Sequence, residues 1–416
     1  MFIKDLPNIE KSETKFFLFL IKFLGLIYIL IAFGFDGVQS VTYFTRYIVA
    51  LMLVGLLLNH HRFIWDKALL IYLFLYIYLA VQCISVPDKE SAISAIKGMT
   101  TSFLGTISVC VALRNGILSY RMIILAAIIA CCINIVAVLM GIDTYPGQMD
   151  IALSGRAAGL NANANYLAIA MVMAGMLIWF RSELFSIYEL ILGIVIGAYG
   201  VYVSASRKGF ILFCLFLFLF LIVFFHDYKK NKILCFIVIL MIAFGVYHMA
   251  NNVPFYLNKI KVIDRITNGT FKYGYRINDP RVNLFWKGLE AWQERPFLGY
   301  GLFQFRYITN ERWYSHNNFI ELLVSGGIVA FLLYYSLHAF IGLMLYRLDK
   351  FSRFKGFLLL FSLLFIDTVT VSFTERISNL ILVILLIYSV PLNKIQTIHN
   401  VFLDPNYKVN FISSPA

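Results

Sequence analysis

Long apolar runs recur along this chain with little between them. A run of roughly 18 to 25 apolar residues is enough to cross the hydrocarbon core of a bilayer as a helix. Twelve such runs are predicted, near 16–34, 40–58, 67–85, 93–113, 120–141, 164–180, 184–203, 209–226, 233–250, 318–346, 356–374 and 378–393. Open strands leave backbone groups unpaired in lipid, so the runs are read as helices. The predicted fold class is therefore an all-α integral membrane protein with about 12 transmembrane helices. The first run begins near Phe16 and no small-residue cleavage site follows it. It is expected to be a retained span and not a signal peptide.

Composition closes off the alternatives. Hydrophobic residues make up 61% of the 416, and charged residues only 14%, against about 25% in soluble domains. A cytosolic enzyme, a disordered chain and a secreted disulfide scaffold are excluded. The six cysteines sit in apolar runs without zinc-like spacing. A net charge of +13 raises the question of nucleic acid, but the placement of the charges answers it, and no nucleic-acid partner is expected. With the N-terminus inside, the short inner segments hold 17 Lys and Arg and the short outer loops hold 5. That asymmetry predicts both termini in the cytoplasm.

The expected organisation is helices 1–9 over residues 1–250, one large outer loop over 251–317, and helices 10–12 with a cytoplasmic tail over 318–416. The outer loop is basic, which points to an anionic ligand, although a solvated loop facing anionic headgroups has the same composition. Within it, Asp279 and Pro280 read as a cap and a first helical residue, opening a helix that runs to Glu294. Phe285, Leu289 and Trp292 form an apolar stripe, expected to lie on the membrane surface.

Four separate outer segments present Arg156, Arg207, Arg281 and His316. Guanidinium forks match phosphate oxygens in bidentate geometry. Arg281 opposes the dipole of its own helix, which makes sense if an anion binds at that N-terminus. Each residue also has a plainer reading. Arg207 and Lys208 suit interfacial anchors, Arg156 suits a loop-carbonyl cap, and a lone histidine is more often structural than catalytic. The string His316-Asn317-Asn318 at the mouth of a span favours function, since asparagine can bind sugar hydroxyls or fix an imidazole tautomer. No Asp-x-Asp occurs, and Asp88-Lys89-Glu90 reads as a solvated turn, so no metal site and no cofactor are expected. Asp367, Lys97 and Arg46 fall within spans, and no sequence feature names a partner for Asp367.

The chain resembles the O-antigen ligase and polymerase family of bacterial envelope polysaccharide assembly. The resemblance rests on Arg156-x-x-Gly159 with Asn165, Ser204-x-Ser206-Arg207-x-Gly209, and Arg281 with Trp286. It continues through Pro296-Phe-Leu-Gly299-Tyr-Gly301, His316-Asn317-Asn318-Phe-Ile-Glu321 and Gly326-Gly327. It is sharpest over about 150–335. It implies a GT-C-like, inverting, metal-independent glycosyltransferase of the bacterial inner membrane, working on the periplasmic side. The implied partners are a glycan donor on undecaprenyl diphosphate, a glycan acceptor, membrane lipids and a chain-length regulator. His316 would be catalytic and would serve the acceptor. Arg207, Arg281 and Arg156 would bind the diphosphate, with Asn165, Ser206, Asn317 and Glu321 as secondary substrate contacts.

Two activities fit. A polymerase adds the growing lipid-linked chain to a new lipid-linked repeat, and a ligase moves the finished chain to lipid A–core. The string from His316 through Gly327 into Phe331-Leu-Leu-Tyr-Tyr looks more like polymerases. The ligase pattern has Gly327 in register but departs at Ala330. A flippase for the same lipids predicts matching halves and broken mid-membrane helices, and the sequence has no matching halves.

Overall fold

A computed structural model of the chain describes residues 9–58, 67–142, 156–228 and 280–389. Among these residues every regular element is helical. The helices are α1 (Ile9–Gly34), α2 (Gln39–Leu58), α3 (Lys67–Gln82), α4 (Lys89–Arg114), α5 (Tyr120–Leu139), α6 (Ala164–Phe180) and α7 (Ile187–Ser204). They continue as α8 (Arg207–Tyr228), α9 (Pro280–Glu294), α10 (Asn318–Tyr346), α11 (Lys350–Asp367) and α12 (Arg376–Tyr388). Seven of them are long and apolar enough to cross a membrane: α1, α2, α4, α5, α7, α8 and α10. The molecule is a multi-pass membrane protein by this measure. The expected ninth span, 233–250, lies outside the described residues, as do Asp279 and the outer-loop stretch before it.

Helix starts follow the capping residues. Asp88 accepts from the Ser91 amide at 3.1 Å to open α4. Asn163 accepts from the Asn165 and Tyr166 amides at 2.9 and 3.1 Å to open α6. Ser186 and Glu189 form a reciprocal capping box at the head of α7. Helix α6 is apolar on all sides and is buried along nearly its whole length, so it forms the axis of the bundle. It packs on α7 and α8, while α1 packs on α2 and α5, α3 on α10, and α12 on α4.

One span ends well before its expected limit. The apolar run near 356–374 stops being helical at Asp367, and residues 368–375 form an irregular turn before α12. Asp367 thus ends α11 and does not sit in mid-span. It accepts from Tyr335 Oη at 3.1 Å and from Ser372 Oγ. Asn318 fixes the same turn, accepting from the Ser372 and Phe373 amides at 2.9 and 3.0 Å.

Helix α10 breaks at Gly327, whose φ of 62° and ψ of −163° are not helical and are open essentially only to glycine. The break frees backbone groups that must be paired elsewhere. The Pro296–Gly301 loop pairs them. The Ile328 amide donates to the Pro296 carbonyl at 2.8 Å, and the Tyr300 and Gly301 amides donate to the Val324 and Ser325 carbonyls, each at 2.8 Å. A Cβ at Gly327 would lie 2.2 Å from the Phe297 carbonyl oxygen, and one at Gly299 would lie 2.6 Å from that of Val324. Two of the sequence motifs are therefore the two halves of one joint.

Above this joint α9 lies against the first turns of α10. Its buried positions are Leu284 and Ala291, which pack with Phe305, Ile320 and Val324. Gly288 completes the contact, with no room for a Cβ beside Ile320. The face packed on α10 is thus 284–288–291, adjacent to the apolar stripe of Phe285, Leu289 and Trp292. Phe285 and Trp286 are left exposed.

Candidate functional site

The N-terminal ends of α8, α9 and α10 meet the turn after α11 around one cleft of about 390 Å³. It is lined by Lys208 from α8, by Arg281, Val282, Phe285 and Trp286 from α9, by Ser315, His316 and Asn317 before α10, and by Thr368 and Val369 after α11. Three helix N-termini converging on one hollow favour negative charge within it. Two cationic side chains in its walls add to that preference.

His316 is held at this cleft by its neighbours. Its φ is 54°, an unusual left-handed conformation for a residue with a side chain. Ser315 Oγ donates to Glu321 Oε2 at 2.7 Å, and the Ser315 amide donates to the same oxygen at 3.2 Å. The Asn317 amide donates to Ser315 Oγ at 3.3 Å. Asn317 Oδ1 then caps α10 by accepting from the Ile320 amide at 3.2 Å. The residues on both sides of His316 are thus fixed, which over-determines its strained backbone. The Tyr314 ring lies 4.1 Å from the imidazole. Burial, then Lys208, then Arg281 push the His316 imidazole down to about 4, so it is neutral near pH 7. A neutral imidazole is a proton acceptor. Burial and the nearby Glu375 and Glu321 carboxylates push the Tyr314 phenol up to about 12.

Six of the expected residues fall into two groups. Arg281, His316 and Asn317 line the cleft. Arg156, Asn165 and Ser206 form a network beside it. Arg156 Nε donates to the Ser204 carbonyl at 2.7 Å and its Nη2 to Asn165 Oδ1 at 3.0 Å. Ser206 Oγ donates to the same Asn165 oxygen at 2.8 Å and accepts from the Gly209 amide at 3.1 Å, capping α8. This network sets the direction in which α8 presents Arg207 and Lys208. Arg207 is half-buried and makes no hydrogen bond or ion pair with any described residue. Burial, then the charges of Arg281, Arg207 and Arg156, act on the Lys208 side chain, so the three guanidiniums and Lys208 share one positive region. Glu321 does not reach the cleft. It is wholly buried beneath the His316 loop.

Among the cleft residues that the sequence did not mark as site residues are Lys208, Phe285 and Trp286. Lys208 follows Arg207 directly, and two adjacent helical residues point roughly 100° apart, so a turn of Arg-Lys sends only one of them fully into a cleft. Trp286 carried a signal in the motif it shares with Arg281, whereas Phe285 stood out only as part of an apolar stripe. Thr368 and Val369 carried no signal, since the run containing them reads as continuous helix. Lys208 donates to the Val369 carbonyl, which ties α8 to that turn.

Residues 192–335 match the family model described as O-antigen ligase. The match bears out the resemblance to the O-antigen ligase and polymerase family over the stretch from α7 to the middle of α10. It contains every cleft residue except Thr368 and Val369, together with both halves of the joint at Gly327. Arg156 and Asn165 precede it. No curated protein matches the chain.

Proposed function

We propose that the chain is a membrane glycosyltransferase that polymerises undecaprenyl-diphosphate-linked oligosaccharide repeats, and that the cleft is its transfer site. The observation that carries this reading is the meeting of Lys208, Arg281 and a neutral His316 in one hollow. A lipid diphosphate supplies an anion to match the cations. A sugar hydroxyl supplies a proton to match the imidazole.

In this mechanism the acceptor hydroxyl attacks the anomeric carbon of the donor glycan while His316 takes its proton. The bond from that carbon to the diphosphate oxygen breaks, and undecaprenyl diphosphate leaves with the electron pair. Attack opposite the leaving group inverts the anomeric configuration. Arg281, Lys208 and Arg207 stabilise the charge that grows on the leaving oxygen, the task a metal performs elsewhere. Arg156, Asn165 and Ser206 hold the head of α8, and Arg156 adds its charge to the diphosphate field. Asn317 meets a sugar hydroxyl. Glu321 acts through Ser315 on the position of His316.

The proposed frame has twelve spans in the inner membrane, both termini in the cytoplasm and the cleft on the periplasmic side. It is supported by the charge asymmetry of the short loops. Ligation to lipid A–core is the second reading, favoured by the wording of the matched family. It uses the same cleft and chemistry with another acceptor. The test is the purified protein with one lipid-linked repeat as sole substrate. A ladder of products supports polymerisation. No product until lipid A–core is added supports ligation.

A further inference from the structure

We propose that Trp286, buttressed by Phe285, is the stacking platform for the sugar ring next to the donor's diphosphate, and so helps decide which first sugar is accepted. This rests on the reading of the cleft as a transfer site. One sector of α9 is committed to packing through Leu284 and Ala291. The neighbouring sector carries Arg281, Val282, Phe285 and Trp286 into the cleft. Trp286 is 55% exposed there and Phe285 36%. The two rings meet edge to face, with centroids 5.5 Å apart and planes at 89°. That contact steadies the indole, more than half of whose surface remains exposed.

Large exposed rings on a membrane protein often serve as interfacial anchors. An anchor points away from a polar hollow, whereas these rings share its walls with Lys208, Arg281 and His316. Spacing selects the occupant. Phe285 and Trp286 follow Arg281 by four and five residues, which is about 6 to 7.5 Å of axial rise. A diphosphate held at Arg281 therefore has its attached sugar beside the rings. The apolar C–H face of a pyranose covers an aromatic ring, and its hydroxyls remain turned toward Asn317 and His316 across the cleft. An isoprenoid chain is the other apolar group a lipid donor could bring, and the test separates the two.

The full chain in nanodiscs is titrated with undecaprenyl diphosphate bearing a repeat unit, and separately with undecaprenyl diphosphate alone. Trp286→Ala should weaken binding of the glycan-bearing lipid roughly tenfold and leave the bare lipid unchanged. Trp286→Phe should restore most of the loss. Equal weakening of both lipids would assign the ring to the isoprenoid or the bilayer and overturn the proposal, as would no weakening of either. Arg281→Ala in the same assay should weaken both lipids. If it weakens neither, the transfer-site reading itself fails, whatever Trp286→Ala does.

Discussion

Glu321, buried in the first turn of α10, accepts the Ser315 hydroxyl at 2.7 Å and the Ser315 amide at 3.2 Å, and so anchors the residue that precedes His316. A buried carboxylate is costly unless it is hydrogen-bonded, and here its second oxygen has no hydrogen-bond partner among the described residues. That cost is borne one turn from the strained backbone of His316, as expected where a loop conformation must be enforced. Glu321→Gln keeps an acceptor for Ser315 and should retain most activity. Glu321→Ala leaves the Ser315 groups unpaired, at about 1–3 kcal/mol, and should lower turnover at least tenfold while lipid binding persists. Equal turnover in wild type and Glu321→Ala would remove Glu321 from the positioning of His316.

The depressed His316 value predicts a pH profile. The imidazole acts as a base only when neutral, and it is held neutral down to about 4. The kcat/KM of the free enzyme should therefore be flat above about pH 5 with respect to this group and fall below its value. A bound diphosphate neutralises the cations that help hold the imidazole down. The acid limb of kcat should accordingly lie at higher pH than that of kcat/KM. Arg281→Ala should raise the acid limb of kcat/KM for the same reason. An unmoved limb would mean that Arg281 does not act on the imidazole. Linkage has a matching sign. The unfolded chain takes a proton near the usual 6.5 that the folded site refuses, so stability falls as pH drops below that value.

Gly288 lets α9 approach α10. An added methyl would lie 2.2 Å from Ile320 Cγ2 and 2.8 Å from Phe305. Gly288→Ala should lift the helix and move Arg281, at a cost of about 1–3 kcal/mol, with weaker binding of undecaprenyl diphosphate and a lower thermal midpoint in detergent. Gly327→Ala should cost more, because its φ of 62° and its contact with the Phe297 carbonyl both exclude a side chain. Thermal unfolding of the two variants checks this order.

The cations leave metal without an assigned task. Among the described residues, no group of three or more His, Cys, Asp or Glu converges as a metal site would require. Turnover should persist in a strong chelator. Complete loss that magnesium restores would replace the arginine mechanism with a metal-assisted one.

Much of this was legible in the sequence, for identifiable reasons. Helices set by length and hydropathy read directly, because a bilayer demands both. Arg281, His316 and Asn317 could be placed at one site because each lies at a helix start facing the same side. The register of α9 was not legible. Leu284 and Phe285 are equally apolar, and only the space beside Gly288 decides which faces α10. Nor was the end of α11, where Asp367, Ser372 and Asn318 hold a turn through side-chain hydrogen bonds between distant residues. The Gly-rich motifs were visible as motifs, but their pairing across the break at Gly327 depends on backbone contacts that no spacing reveals.

The most direct test of the central claim is His316→Ala, measured for both turnover and binding of the lipid-linked donor. Turnover should fall roughly 100-fold or more, the range of general-base catalysis, while donor binding stays near that of the wild type because Lys208 and Arg281 remain. Near-normal turnover would contradict the role of His316 as the acceptor's base. Loss of donor binding would instead make His316 a diphosphate ligand.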